Sequence, residues 1–307
     1  MRFAFVADVD NWALHRQGMG LVRYGEVDGH TWNLFHARPQ DFAPERLDTY
    51  DAVRIGASGL LEHGALHGWL PRTAPMVCSL ASFSDAEGSR RFIQHQLARI
   101  RAFAVVDARL VEQATQYGRP AIHVSDRCDP LVYYPQKRAR PTPDPLRVGW
   151  AGSQEYWPGI KHVDEIAEAC SRAGVVFVRQ DRELDGTKNQ DEMRAWYNSL
   201  DVYVAANNVD TPTPVPCLEA ASCGIYVLTT RCGELWPAIA ANDPSAIVES
   251  STVEAITEAL VRLVALGRGQ LRERGMRLLA DHKPALHWGL GEAQQFTRAL
   301  AALMGGC

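Results

Sequence analysis

The amino-acid sequence predicts an α/β fold made of two successive domains, each with a parallel sheet. Short apolar segments alternate with amphipathic helical patterns through both halves of the 307 residues. Strands that alternate with helices are typical of parallel sheets covered by helices on both faces. A segment with four prolines in twelve residues, 134–145, separates the halves, because proline fits neither a helix interior nor a central strand.

The strands and helices of the first half are predicted from the positions of its apolar residues. Apolar runs predict strands, and a spacing of three to four residues between apolar side chains predicts helices. The predicted strands are 2–7, 31–35, 52–55, 76–80, 102–106 and 121–124, and the predicted helices are 90–101 and 108–117.

The second half repeats the alternation. Its predicted strands are 146–151, 175–178, 202–205, 225–228 and 246–248, and its predicted helices are 161–173, 189–200, 215–223, 253–266, 268–281 and a C-terminal segment, 283–304. We therefore expect a first domain over 1–135, a linker over 136–145 and a second domain over 146–282. The last segment, 283–307, is expected to pack back on the first domain.

Composition excludes several classes of protein. Hydrophobic residues make up 46% and charged residues 22%, which is typical of a globular chain, and the formal charge of -4 gives no overall attraction for nucleic acid. No run reaches the ~20 apolar residues of a membrane helix, and the start does not resemble a signal peptide, so a cytoplasmic protein is expected. The seven scattered cysteines indicate reduced thiols rather than disulfides or a zinc site.

The most informative segment is 200–230. It reads as a buried strand, a polar loop with prolines, and a helix that begins near Thr213 or Pro214, with Thr213 as the expected N-cap. A helix N-terminus provides backbone N–H groups and partial positive charge that suit a diphosphate. Glu219 follows within this helix, and a carboxylate can accept hydrogen bonds from the paired hydroxyls of a ribose.

This segment resembles the nucleotide-sugar motif of glycosyltransferase family four and its GT-B relatives. The shared features are an acidic residue, a Thr-Pro loop, a Leu-Glu-Ala helix at 218–220 and Cys-Gly at 223–224. The resemblance implies a GT-B fold, in which two Rossmann-like domains face a central cleft. It also implies that Glu219 binds ribose. The family's other glutamate, eight positions earlier and near the transferred sugar, is replaced by Thr211, with Asp210 as the nearby acid.

Other positions extend the resemblance. The strand end at 148–153 followed by Lys161 resembles the family's first strand of the donor domain and the lysine that binds the diphosphate. Arg179 and Arg182, after the second strand of this half, are the alternative candidates for the family's second basic residue on the diphosphate. The predicted donor-binding residues are Gly18, Gly152, Ser153, Lys161, Arg179, Thr211, Thr213, Pro214, Val215 and Glu219.

In the first half, Asp8 follows the first strand, where these enzymes place a loop that faces donor and acceptor. Gly18 and Gly20 could allow the backbone to approach a ligand there. Asp8 and Asp10 are spaced like a metal-binding Asp-x-Asp pair, but loop capping or acceptor contact is favoured and no metal is expected. His15 is the favoured acid–base candidate among the histidines. The predicted catalytic residues are Asp8, His15, Lys161 and Asp210.

The resemblance implies an enzyme that transfers a hexose from a nucleoside diphosphate sugar, such as UDP-glucose, to an acceptor hydroxyl. Retention of the anomeric configuration is expected, with no cofactor besides the sugar nucleotide. The acceptor is left open among a glycan, a small molecule, a protein and a modified base in DNA. One alternative is a glucosyltransferase of hydroxymethylated DNA bases. A second is a non-catalytic GT-B protein that binds a nucleotide or glycan, and a GT-B epimerase or phosphorylase has no supporting motif.

Overall fold

The protein is described by a computed structural model that covers residues 1–8, 13–37, 43–80, 89–137, 145–154, 159–186 and 188–305. It divides into two compact units. The first comprises Met1–Asp126 together with Trp288–Cys307, and the second comprises Arg127–His287. The chain therefore passes from the first unit to the second once and returns once.

The first unit contains a six-stranded parallel sheet. Its strands are β1 (Arg2–Ala7), β2 (Thr31–His36), β3 (Ala52–Ile55), β4 (Met76–Leu80), β5 (Ile100–Val105) and β6 (Ala121–His123). Their order across the sheet is β2-β1-β3-β4-β5-β6, and each neighbouring pair is parallel. All carboxyl ends consequently meet at one edge of this sheet.

Helices cover both faces of this sheet. They are α1 (Ala13–Tyr24), α2 (Pro44–Leu47), α3 (Ser58–His67), α4 (Arg90–Gln96) and α5 (Leu110–Thr115). The C-terminal helix α13 (Leu290–Gly305) also belongs to this unit. One face of the sheet packs on Leu61 and Ile93, and the other packs on Leu21 and Phe296. Alternate residues of each strand are thus buried on opposite faces, which explains the continuous apolar runs in the sequence.

The second unit contains a four-stranded parallel sheet. Its strands are β7 (Arg147–Gly152), β8 (Val176–Asp181), β9 (Val202–Ala205) and β10 (Tyr226–Thr229), in the order β10-β9-β7-β8. Its helices are α6 (Val163–Arg172), α7 (Arg182–Asp185), α8 (Gln190–Asn198), α9 (Val215–Ser222), α10 (Trp236–Asn242), α11 (Val253–Asp281) and α12 (Lys283–Leu286). One large apolar core joins this sheet to its helices.

These two parallel sheets with covering helices confirm the predicted α/β class. Several predicted boundaries were wrong. The helix predicted over 90–101 ends at Gln96, because Ile100 already begins β5. The strand predicted over 246–248 is replaced by a 3-10 turn at Pro244–Ala246 and a single bridge from Ile247 to Thr229. The helix predicted over 283–304 is interrupted between α12 and α13.

Within α11 the backbone departs from helical geometry at Gly267 (φ 76°, ψ 159°), which matches the two helices expected on either side of it. Across the residues that the structure describes, no helix has the length and apolar character needed to cross a membrane.

Candidate functional site

Lys161 lies at the carboxyl edge of the second sheet. Its ammonium nitrogen donates a hydrogen bond to the carbonyl oxygen of Ser153, directly after β7, at 2.5 Å. A Cβ at Gly152 would lie 3.6 Å from the same nitrogen. Lys161 precedes α6 by two residues, so the expectation that it opens this helix was wrong. Its charge nevertheless lies at the edge of the sheet where ligands bind in such folds.

Helix α9 begins at Val215 next to the same edge, with Pro214 as its N-cap. Thr213 was predicted to cap this helix, and this was wrong. Its Oγ1 instead accepts hydrogen bonds from the backbone N–H groups of Glu234 (2.7 Å) and Leu235 (3.2 Å) at the start of α10. Pro214 has no N–H group and cannot donate to a phosphate. Of the predicted trio at 213–215, Val215 is therefore the residue whose N–H group begins the helix.

The loop between β9 and α9 is held against the segment after β10. The Gly233 N–H group donates to the Thr211 carbonyl oxygen (2.9 Å), and the Thr230 hydroxyl donates to the Asn207 carbonyl oxygen (2.5 Å). The Thr211 hydroxyl donates to the carbonyl oxygen of Asn208 within the loop (2.7 Å). The hydroxyls of Thr211 and Thr213, two of the predicted donor-binding residues, thus make hydrogen bonds that hold the loop in place.

Glu219 is fully buried in the middle of α9. The phenolic hydroxyl of Tyr197, on α8, donates to its Oε2 at 2.6 Å, and the Tyr197 side chain is itself buried. One oxygen of this carboxylate is therefore hydrogen-bonded within the second unit. Its role on ribose stays a prediction.

A short connection joins the Lys161 segment to the loop that leads to α9. The Asn208 N–H group donates to the Ile160 carbonyl oxygen at 3.2 Å. His162 Nε2 lies 2.9 Å from the side-chain oxygen of Asn208. Neither His162 nor Asn208 was predicted from the sequence, because neither belongs to the motif that carries the resemblance. A histidine and an asparagine in two polar loops give no pattern that would indicate their contact.

Two further candidates lie at this edge. Arg179, in β8, has a guanidinium nitrogen 3.5 Å from the Gln154 side-chain oxygen and another 3.6 Å from the Asp181 carboxylate. Asp210 is exposed in the loop after β9. The described residues near this edge therefore include two cationic side chains, Lys161 in the segment after β7 and Arg179 in β8, an arrangement suited to an anionic ligand.

The thiols nearest this edge are not nucleophiles. Burial raises the pKa of Cys217, in the first turn of α9, well above its usual value, and the neighbouring Cys232 raises it further. Burial likewise raises the pKa of Cys232. Both groups stay protonated near neutral pH, and the thiolate is the reactive form of cysteine.

In the first unit, three polar side chains occupy the carboxyl edge of β1 and β2. Asp8 follows β1, whose last residue Ala7 pairs with His36 at the end of β2. His15, on α1, has its Nδ1 2.8 Å from Nε2 of His36, and the planes of the two rings are nearly parallel (13°). The structure therefore brings the predicted His15 next to His36, a histidine that was not favoured from the sequence.

The glycines of α1 serve packing rather than ligand approach. A Cβ at Gly18 would lie 2.5 Å from a methyl carbon of Leu34 and 2.9 Å from the Phe5 ring. A Cβ at Gly20 would lie 2.5 Å from the indole nitrogen of Trp288. The predicted donor role of Gly18 was wrong, because its open side faces the core of its own unit.

No group of three or more metal-ligating side chains occurs among the described residues. Of the Asp-x-Asp pair, Asp10 lies outside the described residues, as do residues 138–144 of the basic linker. The described sites therefore consist of charged and hydrogen-bonding groups at the carboxyl edges of two sheets.

Comparison with known proteins identifies the fold. Residues 137–266, which include β7 to β10, match the family described as Glycosyl transferases group 1. HepE from Anabaena, solved in complex with UDP and glucose, superposes with a TM-score of 0.71 over 98% of this chain and 100% of its own, at 10% identity. The chain has the GT-B fold. Its resemblance to glycosyl transferases group 1 is confirmed over the matched residues.

Other GT-B structures agree. Sucrose-phosphate synthase from Thermosynechococcus elongatus gives a TM-score of 0.69 at 13% identity, with both chains covered in full. A glycosyltransferase from Rickettsia africae gives 0.63 at 12% identity, over 99% of this chain and 98% of its own. No curated protein sequence matches this GT-B chain. At these identities the structural likeness establishes the fold alone.

Proposed function

We propose that this protein is a glycosyltransferase that takes a hexose from a nucleoside diphosphate sugar and transfers it to an acceptor hydroxyl. The proposed donor is a UDP-sugar such as UDP-glucose, since HepE, with the same fold, is bound to UDP-glucose in one of its structures. Retention of configuration, and a reaction without metal or further cofactor, belong to the same proposal. The acceptor is not assigned.

One observation carries the proposal. Inside the segment that matches the group 1 family, the chain places Lys161 and the start of α9 at one edge of the sheet, and the bond from Asn208 to Ile160 joins their loops. A fixed lysine and a helix N-terminus are complementary to a diphosphate. When the bond to the sugar breaks, the same groups stabilise the charge that develops on the leaving diphosphate.

The roles of the remaining residues follow from this placement. Val215 donates its N–H group to the diphosphate, and Arg179 adds a second cation. The Glu219 carboxylate accepts hydrogen bonds from the ribose hydroxyls. The pair of His15 and His36 lies on the first unit, where the proposal assigns acceptor binding and proton transfer.

Calorimetry with UDP and UDP-glucose tests the proposal. The wild-type protein should bind both, and Lys161→Met, which keeps the aliphatic stem, should weaken binding about tenfold, as expected for loss of a charged hydrogen bond. The matched control is Arg262→Met, since Arg262 is an exposed cation on α11 in the same unit. Absence of binding to any nucleotide sugar in a thermal-shift screen would contradict the proposal.

Glu219→Gln tests the ribose contact separately. The amide oxygen can still accept from Tyr197, so the fold should be retained, while donor affinity should fall about tenfold. Glu249→Gln is the control, because this exposed carboxylate pairs with Arg231. Unchanged donor affinity in Glu219→Gln would show that Glu219 is a buried core residue with no part in donor binding. Product anomers identified by nuclear magnetic resonance would decide between retention and inversion.

A further inference from the structure

His162 has a backbone conformation that side chains rarely adopt, with φ 50° and ψ 42°. Among the described residues, Asp28 (φ 53°) is the one other non-glycine residue with positive φ. Asp28 and Gly29 form the two-residue turn between Val27 and His30, and such turns require positive φ at their central residues. His162 lies instead just before α6, where a glycine could adopt the same conformation without steric cost.

The imidazole of His162 joins segments that are far apart in the sequence. Its Nε2 lies 2.9 Å from the Asn208 side-chain oxygen, and its Nδ1 lies 3.3 Å from a carboxylate oxygen of Glu165 on α6. The side chain is 20% exposed, so the ring is largely enclosed by these contacts. Together with the backbone bond from Asn208 to Ile160, the ring attaches the Lys161 segment to the start of the loop before α9.

We propose that His162 is a positioning residue for the donor. It fixes the separation between the lysine and the helix N-terminus that together bind the diphosphate. This inference rests on the proposed function. Groups that are held in place before a ligand arrives lose less freedom when it binds, so affinity depends on the rigidity of the bridge. A glycine at this position would fit the left-handed backbone but could not make the contact with Asn208.

Replacement by glycine separates this role from a purely structural one. His162→Gly removes the ring but relieves the steric strain, so the two effects on folding oppose each other. We expect the Tm to stay within about 2 °C of wild type. The Kd for UDP should rise about fivefold or more, because the bridge is lost. Differential scanning fluorimetry and calorimetry measure the two quantities.

Two further variants serve as control and cross-check. Asp28→Gly changes the other strained residue, on the first unit, and should leave the Kd for UDP unchanged. Asn208→Ala removes the partner of the ring and should weaken UDP binding by a similar factor. The double variant of His162→Gly and Asn208→Ala should bind no more weakly than the weaker single variant, because both remove one bridge.

Several results would overturn the inference. An unchanged Kd in His162→Gly contradicts it. A double variant whose Kd rises by the product of the two single increases also contradicts it, because the two substitutions would then act independently. A fall in Tm of more than about 5 °C that accompanies the weaker binding indicates a structural role instead. Failure of the wild-type protein to bind UDP or UDP-glucose contradicts the proposed function itself. Unchanged binding in the glycine variant contradicts the role of His162 alone.

Discussion

Arg54 is a charged residue in the interior of the first unit. Its guanidinium lies over the rings of Phe5 (5.0 Å) and Phe296 (4.8 Å) and donates to Ser79 Oγ and Gln17 Oε1, both at 3.0 Å. Burial lowers the pKa of Arg54, and the charge of Asp126 raises it. Only 1% of the residue is exposed, so the stacked rings and the two hydrogen bonds replace part of its hydration, while Nη1 has no hydrogen-bond partner among the described residues.

We expect Arg54→Lys to be more destabilising than Arg54→Met, although lysine keeps the charge. An ammonium is strongly hydrated and lacks the planar shape that stacks and bonds to two partners, so its burial should cost about 3 kcal/mol. Methionine adapts to a site between aromatic rings and leaves the bond from Gln17 to Asp126 intact, so about 1–2 kcal/mol is expected. Urea unfolding of the three proteins checks the order. A lysine variant as stable as the methionine variant, or more stable, would contradict this order.

At the scale of elements, hydrogen bonds join the loop before α9 to the loop before α10 at the candidate site. Gly233 has φ 64°, and a Cβ there would lie 2.0 Å from the backbone nitrogen of Thr213. Backbone atoms cannot yield as a flexible side chain can. A methyl group would displace the hydrogen bond from the Gly233 N–H group to the Thr211 carbonyl oxygen. It would also displace the two backbone hydrogen bonds that Thr213 Oγ1 accepts.

Gly233→Ala is therefore expected to lower the free energy of unfolding by about 3 kcal/mol, from left-handed strain and overpacking combined. It should also weaken UDP binding, because the loop leads into α9. Gly29→Ala is the matched control: its φ is 73°, but no atom lies within 4 Å of the added carbon, so about 1 kcal/mol is expected. Chemical unfolding and calorimetry give both values. Equal losses in the two variants would show that steric contact with Thr213 is unimportant.

The same elements show how far the sequence could be interpreted. Strands such as Ala52–Ile55, Met76–Leu80 and Val202–Ala205 were predicted to the residue, because a strand buried on both faces is apolar throughout. Helices α1 and α3 were not predicted. Each contains two glycines, and those of α1 are accommodated by contacts with Leu34 and Trp288 that sequence spacing does not reveal.

At the site, the position of a residue was easier to predict than its partners. The carboxyl edge that carries Lys161 and α9 follows from the parallel arrangement of the strands. The alternation of strands and helices in the sequence indicates that arrangement. The enclosure of Glu219 depends on Tyr197, and the use of the Thr213 hydroxyl depends on Glu234, each about twenty residues away. Such contacts depend on tertiary packing, and the pattern of the motif contains no signal for them.

On the scale of the whole molecule, the two units differ in how the chain builds them. The second unit is one continuous segment, whereas the first needs α13 from the end of the chain. Phe296 and Leu300 of α13 are buried on the first sheet, and the Trp32 indole donates to Thr297 Oγ1 at 2.9 Å. The first unit is therefore complete only when the C-terminal segment has been made.

Ending the chain after residue 287 should consequently unfold the first unit and spare the second. Loss of Trp288, Phe296 and Leu300 removes about 2 kcal/mol of burial each, which is comparable with the whole stability of a domain. The uncovered Arg54 would also lose the Phe296 ring. The continuous segment 127–287 keeps its own core, so UDP should still bind with near wild-type affinity.

Limited proteolysis with mass spectrometry should find cleavage throughout residues 1–126 of the truncated protein, together with a protected fragment close to 127–287. Phe296→Ala should reproduce part of the effect, lowering the stability of the first unit by about 3 kcal/mol. Leu303→Ala, at a 36% exposed position on the same helix, should have little effect. A protected first unit in the truncated protein would contradict the role of α13. Loss of UDP binding there would instead show that the donor site is not contained in the second unit.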